Sequence, residues 1–194
     1  IAMKPYALID LHVNLTDCKY SSGLGTDTLD DPQRVLSLSS IPEGVHWASF
    51  TPFLSLTNAG AGRHPLLRAN RDNFIRQMDK FSDRVKRCRT CADMEEAFQS
   101  NRTAAFLSVE NGSAWPVLDR VRLLAEDGVK AITLTWNGEN EIGSGHVSEH
   151  GLSDFGKKLI PELEKYHILA DVSHLNDAGF ADLLEVAQKP FTAT

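Results

Sequence analysis

Short apolar, β-branched or aromatic runs alternate with amphipathic segments along the chain. The runs are "YALIDLHV" (6–13), "VHWASFTPF" (45–53), "TAAFLSVE" (103–110), "KAITLTW" (130–136) and "HILADVSH" (167–174), and "PFTAT" (190–194) begins a sixth. Between them, "HPLLRANRDNFIRQMDKFSDRV" (64–85) places Leu67, Phe74, Ile75, Met78 and Phe81 near helical spacing. Further helices are predicted over 91–100, 116–128, 152–166 and 176–189. Ser153 and Asn176 or Asp177 are the expected N-caps, Gly128 is a fitting C-cap, and Pro161 marks a kink or a first turn. The basic stretch "DRVKRCR" (83–89) reads as a solvated helix end.

Strands that are almost continuously apolar and alternate with helices imply a parallel sheet covered on both faces. Two architectures fit, an open doubly wound sheet and a (β/α)8 barrel. No G-x-G-x-x-G follows the first run, which removes the main support for dinucleotide binding. Polar residues collect at the C-terminal ends of several runs: His12 and Asn14, Glu110, Trp136 and Asn137, and His174. A barrel gathers all its strand ends around one mouth, whereas an open sheet scatters them along an edge. The barrel is therefore expected, as one domain over residues 1–194.

Composition narrows the function more than the fold. With 194 residues, 42% of them apolar, the chain can bury a sizeable core. Its net charge of −6 argues against non-specific nucleic-acid binding. No run reaches the length of a membrane span and no signal-peptide core opens the chain, so a cytoplasmic protein is expected. Cys18, Cys88 and Cys91 form no disulfide framework, and "CRTC" (88–91) has neither a second pair nor a thioredoxin-like context. These are read as thiols in a reducing compartment.

The polar strand ends carry the candidate chemistry. His12, Glu110 and His174 end the first, third and fifth runs. Imidazole with carboxylate is a donor set that zinc and similar divalent ions take. A glutamate can bridge two ions with its two oxygens, and ions about 3.5–4 Å apart suit metal-assisted hydrolysis. Positions 10, 12 and 14 share one strand face, because the side-chain period is two. Asp10 is thus placed to orient His12, or else to cap a neighbouring helix. Asn137 and Asn140 directly follow a strand end and are candidates for lining the site. His46, His64, His146, His150 and His167 have no place in the pattern, and Trp47 and Trp115 read as packing residues.

The segments "IDLHVNLTDCKY", "AFLSVENGS", "GVKAITLTWNGENEIGSGH", "GLSDFGKKLIPELEKYHILADVSHLNDAGF" and "KPFTAT" together resemble the membrane dipeptidase family, peptidase family M19. The resemblance runs in order from about residue 7 to the last residue. It implies a (β/α)8 barrel of metal-dependent hydrolase type with two zinc ions, hydrolysing dipeptides and related amides. It places metal ligands on His12, Asn14, Glu110 and His174, with Glu110 bridging as the catalytic carboxylate, and a substrate-binding residue on Trp136. Two positions depart from the family: Asn14 stands for an aspartate ligand and Trp136 for a substrate-orienting histidine. An amide oxygen can bind a cation but brings no negative charge, and tryptophan offers one N–H donor and an apolar face.

The chain ends where the resemblance expects a further ligand histidine, with about six of eight βα units present. It is therefore expected to be an N-terminal portion of a longer protein, or a chain that covers its open sheet edges by homodimerising. The function expected is zinc-dependent dipeptidase. The alternatives are a related amidohydrolase acting on another amide, ester or lactone, and a non-catalytic binding protein that has lost its metals.

Overall fold

The computed structural model describes residues 6–13, 29–31, 37–42, 45–54, 63–112 and 118–194. In chain order the elements are strand β1 (Tyr6–Asp10), strand β2 (Val45–Leu54), helix α1 (Arg63–Lys80), strand β3 (Val85–Cys88), helix α2 (Cys91–Gln99) and strand β4 (Thr103–Glu110). Helix α3 (Asp119–Asp127), strand β5 (Val129–Thr133), helix α4 (Asp154–Lys165), strand β6 (Leu169–Asp171) and helix α5 (Asp177–Val186) follow. From β2 onward strand and helix alternate, the element order of an incomplete TIM barrel. No helix among the described residues is long and apolar enough to cross a membrane.

The chain divides into two compact units, residues 1–53 with 67–107, and residues 54–66 with 108–194. Strand β4 begins in the first and ends in the second. In the first unit β1 runs parallel to β2, β2 lies beside β4, and β3 pairs parallel with β4. Its core includes Ala48, Cys88, Ala97, Ala104 and Phe106. Phe50 stacks on Phe106 with ring centroids 4.9 Å apart. Burial pushes the Cys88 thiol up to about 11, so it packs as an inert small side chain. Trp47 is buried, as a packing residue should be.

Strand β3 corrects the reading of 83–89 as a solvated helix end. The helix stops at Lys80, and Val85 and Cys88 are each only 1% exposed. The two intervening charges hid the strand. Lys86 is accommodated by helix α2, its Nζ lying 2.5 Å from Glu96 and 3.8 Å from Asp93. The helix, in turn, is started by a reciprocal cap: Asp93 N–H donates to Thr90 Oγ1 at 3.1 Å, and Thr90 N–H donates to Asp93 Oδ2 at 2.9 Å.

The Arg89 backbone N–H also donates to Asp93, and together with Thr90 it holds that carboxyl below its ordinary value of 3.8. A depressed folded-state value stabilises the fold fully above the ordinary value and loses that stabilisation as the pH falls through the folded one. Thr90→Ala is expected to cost about 1 kcal/mol at neutral pH. The gap from the unmodified protein should narrow below pH 3.8, which urea melts at two pH values check.

In the second unit β4 lies beside β5, and β5 runs parallel to β6. Every residue of β4 is buried, as expected of an interior parallel strand. Helix α4 buries Leu159, Ile160 and Leu163, and α5 buries Leu183. The expected caps are present: Gly156 N–H donates to Ser153 Oγ, and Gly179 N–H donates to Asn176 Oδ1. Helix α3 ends on Gly128 at φ 89°, a left-handed conformation open to glycine. Pro161 lies inside α4. The last run pairs with β6 through Thr192, whose N–H donates to Ala170 O while its carbonyl accepts from Val172 N–H.

Candidate active site

Glu110 is the last residue of β4, and His174 lies three residues beyond the end of β6. Because β3 was hidden, these are the fourth and sixth strands rather than the third and fifth. Both chain reversals use left-handed backbone: φ is 62° at Asn111, directly after Glu110, and 68° at His174 itself. Such values are uncommon outside glycine, although asparagine and histidine tolerate them best. They bring Glu110 Oε1 to 3.9 Å from His174 Nε2. The Glu110 side chain is 9% exposed and that of His174 is 35% exposed, so a buried carboxylate faces a half-exposed imidazole. Trp136, three residues past the end of β5, stands edge-on to the His174 ring with centroids 6.4 Å apart.

The separation of 3.9 Å is too long for a hydrogen bond. It matches two ligands of one ion, each bound at about 2.0–2.2 Å. Carboxylate oxygen and imidazole nitrogen are the donors zinc takes, so this pair fits a divalent ion as two of its ligands. Among the described residues no group of three or more His, Cys, Asp or Glu side chains forms a complete metal site.

The other sequence-predicted residues fall as follows. Asp10 and His12 belong to the first unit, at the end of β1. The Asp10 carboxylate accepts the His12 backbone N–H at 3.1 Å, so it shapes the turn that carries His12. Asn14 lies outside the described residues. Asn137 holds the following loop, its carbonyl accepting from Val147 N–H at 3.2 Å. The Asn140 amide is engaged on every side: its Oδ1 accepts from Ile142 and Gly143 N–H, and its Nδ2 donates to Leu134 O and Asn111 Oδ1.

The loop after Trp136 is fastened at several points. Glu139 accepts from Ser148 Oγ and pairs with His150 Nδ1 at 2.6 Å. The Ser148 bond, with that of His150, holds the Glu139 carboxyl below its ordinary range. Asn176 Nδ2 donates to Ser148 O and His150 O at 2.7 Å each, so the residue that caps α5 also pins the loop. Gly145 packs flat on Trp136: a Cβ there would lie 1.8 Å from Trp136 O.

Sequence reasoning missed Asp171. It is 2% exposed and accepts from Thr133 Oγ1 (2.7 Å), Thr194 Oγ1 (2.9 Å), Ser173 N–H (3.1 Å) and Thr194 N–H (3.3 Å). A signal was present. "IDLH" and "ADVSH" both set an aspartate in an apolar run shortly before a histidine. In both, the aspartate ends its strand and takes the N–H two residues on, at 3.1 Å each time. This aspartate turn stops the ladder and launches the histidine-bearing segment.

Comparison with known proteins places the chain. Residues 8–194 match the family described as membrane dipeptidase (peptidase family M19). A curated relative, dipeptidase tcpJ of Claviceps purpurea, is 28% identical over 127 residues, covering 61% of this chain and 29% of its own length. The fold matches dipeptidase AC, a metallopeptidase of family M19, with a TM-score of 0.87 at 20% identity, over 98% of this chain and 63% of that one. It also matches a metallopeptidase from Rhodobacter sphaeroides, solved with a phosphinate mimic of the dipeptide L-Ala-D-Ala. There the TM-score is 0.72 at 20% identity, over 87% of this chain and 58% of that one. The chain thus spans less than a third of the curated relative and about three fifths of each solved structure. A match over nearly every residue, on a fold with a carboxylate and an imidazole drawn together at strand ends, makes this chain a member of the membrane dipeptidase family, peptidase family M19.

Proposed function

We propose that the protein to which this chain belongs is a zinc-dependent dipeptidase working through a two-ion site. The observation that carries this reading is the approach of Glu110 and His174 to 3.9 Å at two strand ends of the second unit. When bound, the ions would supply an activated water and polarise the peptide carbonyl. Glu110 and His174 would hold metal in the second unit, and the family resemblance adds His12 and Asn14 as further ligands. Asp10 sets the backbone from which His12 projects. Trp136 stands beside His174 with its ring inclined 60° to the imidazole, and with Asn137 it lines the place where a dipeptide would lie. The free thiols of Cys88 and Cys91 support a cytoplasmic setting.

The test uses the full-length protein. Metal content after purification and release of free amino acids from a dipeptide panel are measured before and after chelation. Two zinc ions per chain, with hydrolysis lost on chelation and restored by zinc, are the expected result. Hydrolysis of other amides or lactones instead would favour the broader amidohydrolase reading. Metal-free, inactive protein would leave a binding protein.

A further inference from the structure

We infer that Asn140 is the positioning residue of Glu110 and acts on it through Asn111; this rests on the reading of Glu110 as a metal ligand. Ile142 and Gly143 direct their N–H groups at one end of the Asn140 amide, at 2.7 and 3.1 Å, which fixes that end as oxygen. The other end is then Nδ2, and it has two acceptors, Leu134 O at 2.9 Å and Asn111 Oδ1 at 2.8 Å. Both donors and the acceptor of Asn140 are therefore engaged by the protein itself. It clasps the end of β5, the loop after Trp136 and the residue that follows Glu110.

Asn111 is the receiving end. It is 1% exposed, sits at φ 62°, and its Nδ2 is buried with no hydrogen-bond partner. A buried amide donor left unpaired costs about 1–3 kcal/mol, and left-handed backbone adds to that. A glycine would avoid both costs. What the asparagine provides is the Oδ1 held by Asn140. The peptide between Glu110 and Asn111 is fixed from the Asn111 side, and this peptide sets where β4 stops and which way the Glu110 carboxylate leaves it. The structure connects backbone to Asn140, Asn140 to Asn111, and Asn111 to a carboxylate 3.9 Å from His174.

The experiment uses the full-length protein with Co(II) as the probe, titrated by calorimetry and by its visible absorption bands. Asn140→Ala is expected to weaken Co(II) binding about 10-fold, the lower end of what groups supporting a ligand contribute, and to alter the bands. In an Asn111→Gly background the same substitution should change affinity less than about threefold, because no amide remains to be held. Equal losses in both backgrounds, or no loss in either, would overturn the inference. Should Asn140→Ala fail to melt cooperatively, Asn111→Gly alone decides: weaker Co(II) binding with altered bands supports the inference, and unchanged binding overturns it. Glu110→Gln separates the two readings. If it leaves Co(II) binding intact, the metal reading fails and this inference with it. If it abolishes binding that Asn140→Ala leaves intact, only the positioning role is overturned.

Discussion

Glu110→Gln in the full-length protein is expected to lower kcat/KM for dipeptides by at least about 100-fold. The substitution keeps the shape and removes the charge. Ion binding contributes several kcal/mol of charge stabilisation in such reactions, and each tenfold in rate corresponds to about 1.36 kcal/mol. Glutamine offers one neutral oxygen where the carboxylate offers two charged ones, so metal content should fall together with activity. Because the side chain is 9% exposed, water cannot easily make good the lost ligand. Parallel zinc analysis and steady-state kinetics check this. Full metal content with full activity would remove Glu110 from the site.

The second large effect is on the fold. Asp171→Ala strips a buried acceptor from two hydroxyls and two backbone N–H groups at once. Hydrogen bonds to a charged group contribute about 1.5–3 kcal/mol each, and they are not additive. A loss of about 3 kcal/mol in a denaturant melt is the expected result. Asp171→Asn should cost less, because one oxygen still accepts from the Ser173 and Thr194 N–H groups while an NH2 faces the two threonine hydroxyls. The alanine variant should also weaken metal binding, since Ser173 is the residue before His174. A melt unchanged within about 0.5 kcal/mol would show that these hydrogen bonds are replaced by water without penalty.

Much of the architecture was readable from apolar runs because central parallel strands are buried on both faces, so "TAAFLSVE" has no polar alternation to confuse it. Strand β3 was hidden for the opposite reason. Only Val85 and Cys88 face the core, and the lysine and arginine between them imitate a helix end. What rescues Lys86 is Glu96, ten residues on in a helix, a partner that no local window contains. The site divides the same way. Glu110 and His174 stood out because a charge or an imidazole at the end of an apolar run needs a reason. Asp171 and Asn111 did not, because they act on neighbours that only the fold supplies. Thr133 reaches Asp171 across 38 positions and Asn140 reaches Asn111 across 29. Asn140 follows a strand end and so reads as a residue lining the site, while the partners that occupy its amide, three backbone groups and the Asn111 side chain, come from the fold alone.

Gly145 sets a limit on how this region can diversify. Its N–H donates to Gly138 O, and the space where a Cβ would stand is already taken by the carbonyl of Trp136, 1.8 Å away. In a saturation library scored for folding, position 145 would return glycine almost alone, while Gly138, with nothing within 4 Å of its own missing Cβ, would accept many residues. Lineages that retune the surface beside Trp136 therefore have to do so through one side of the loop only. The record of that constraint should be a column of glycine at 145 and a variable column at 138.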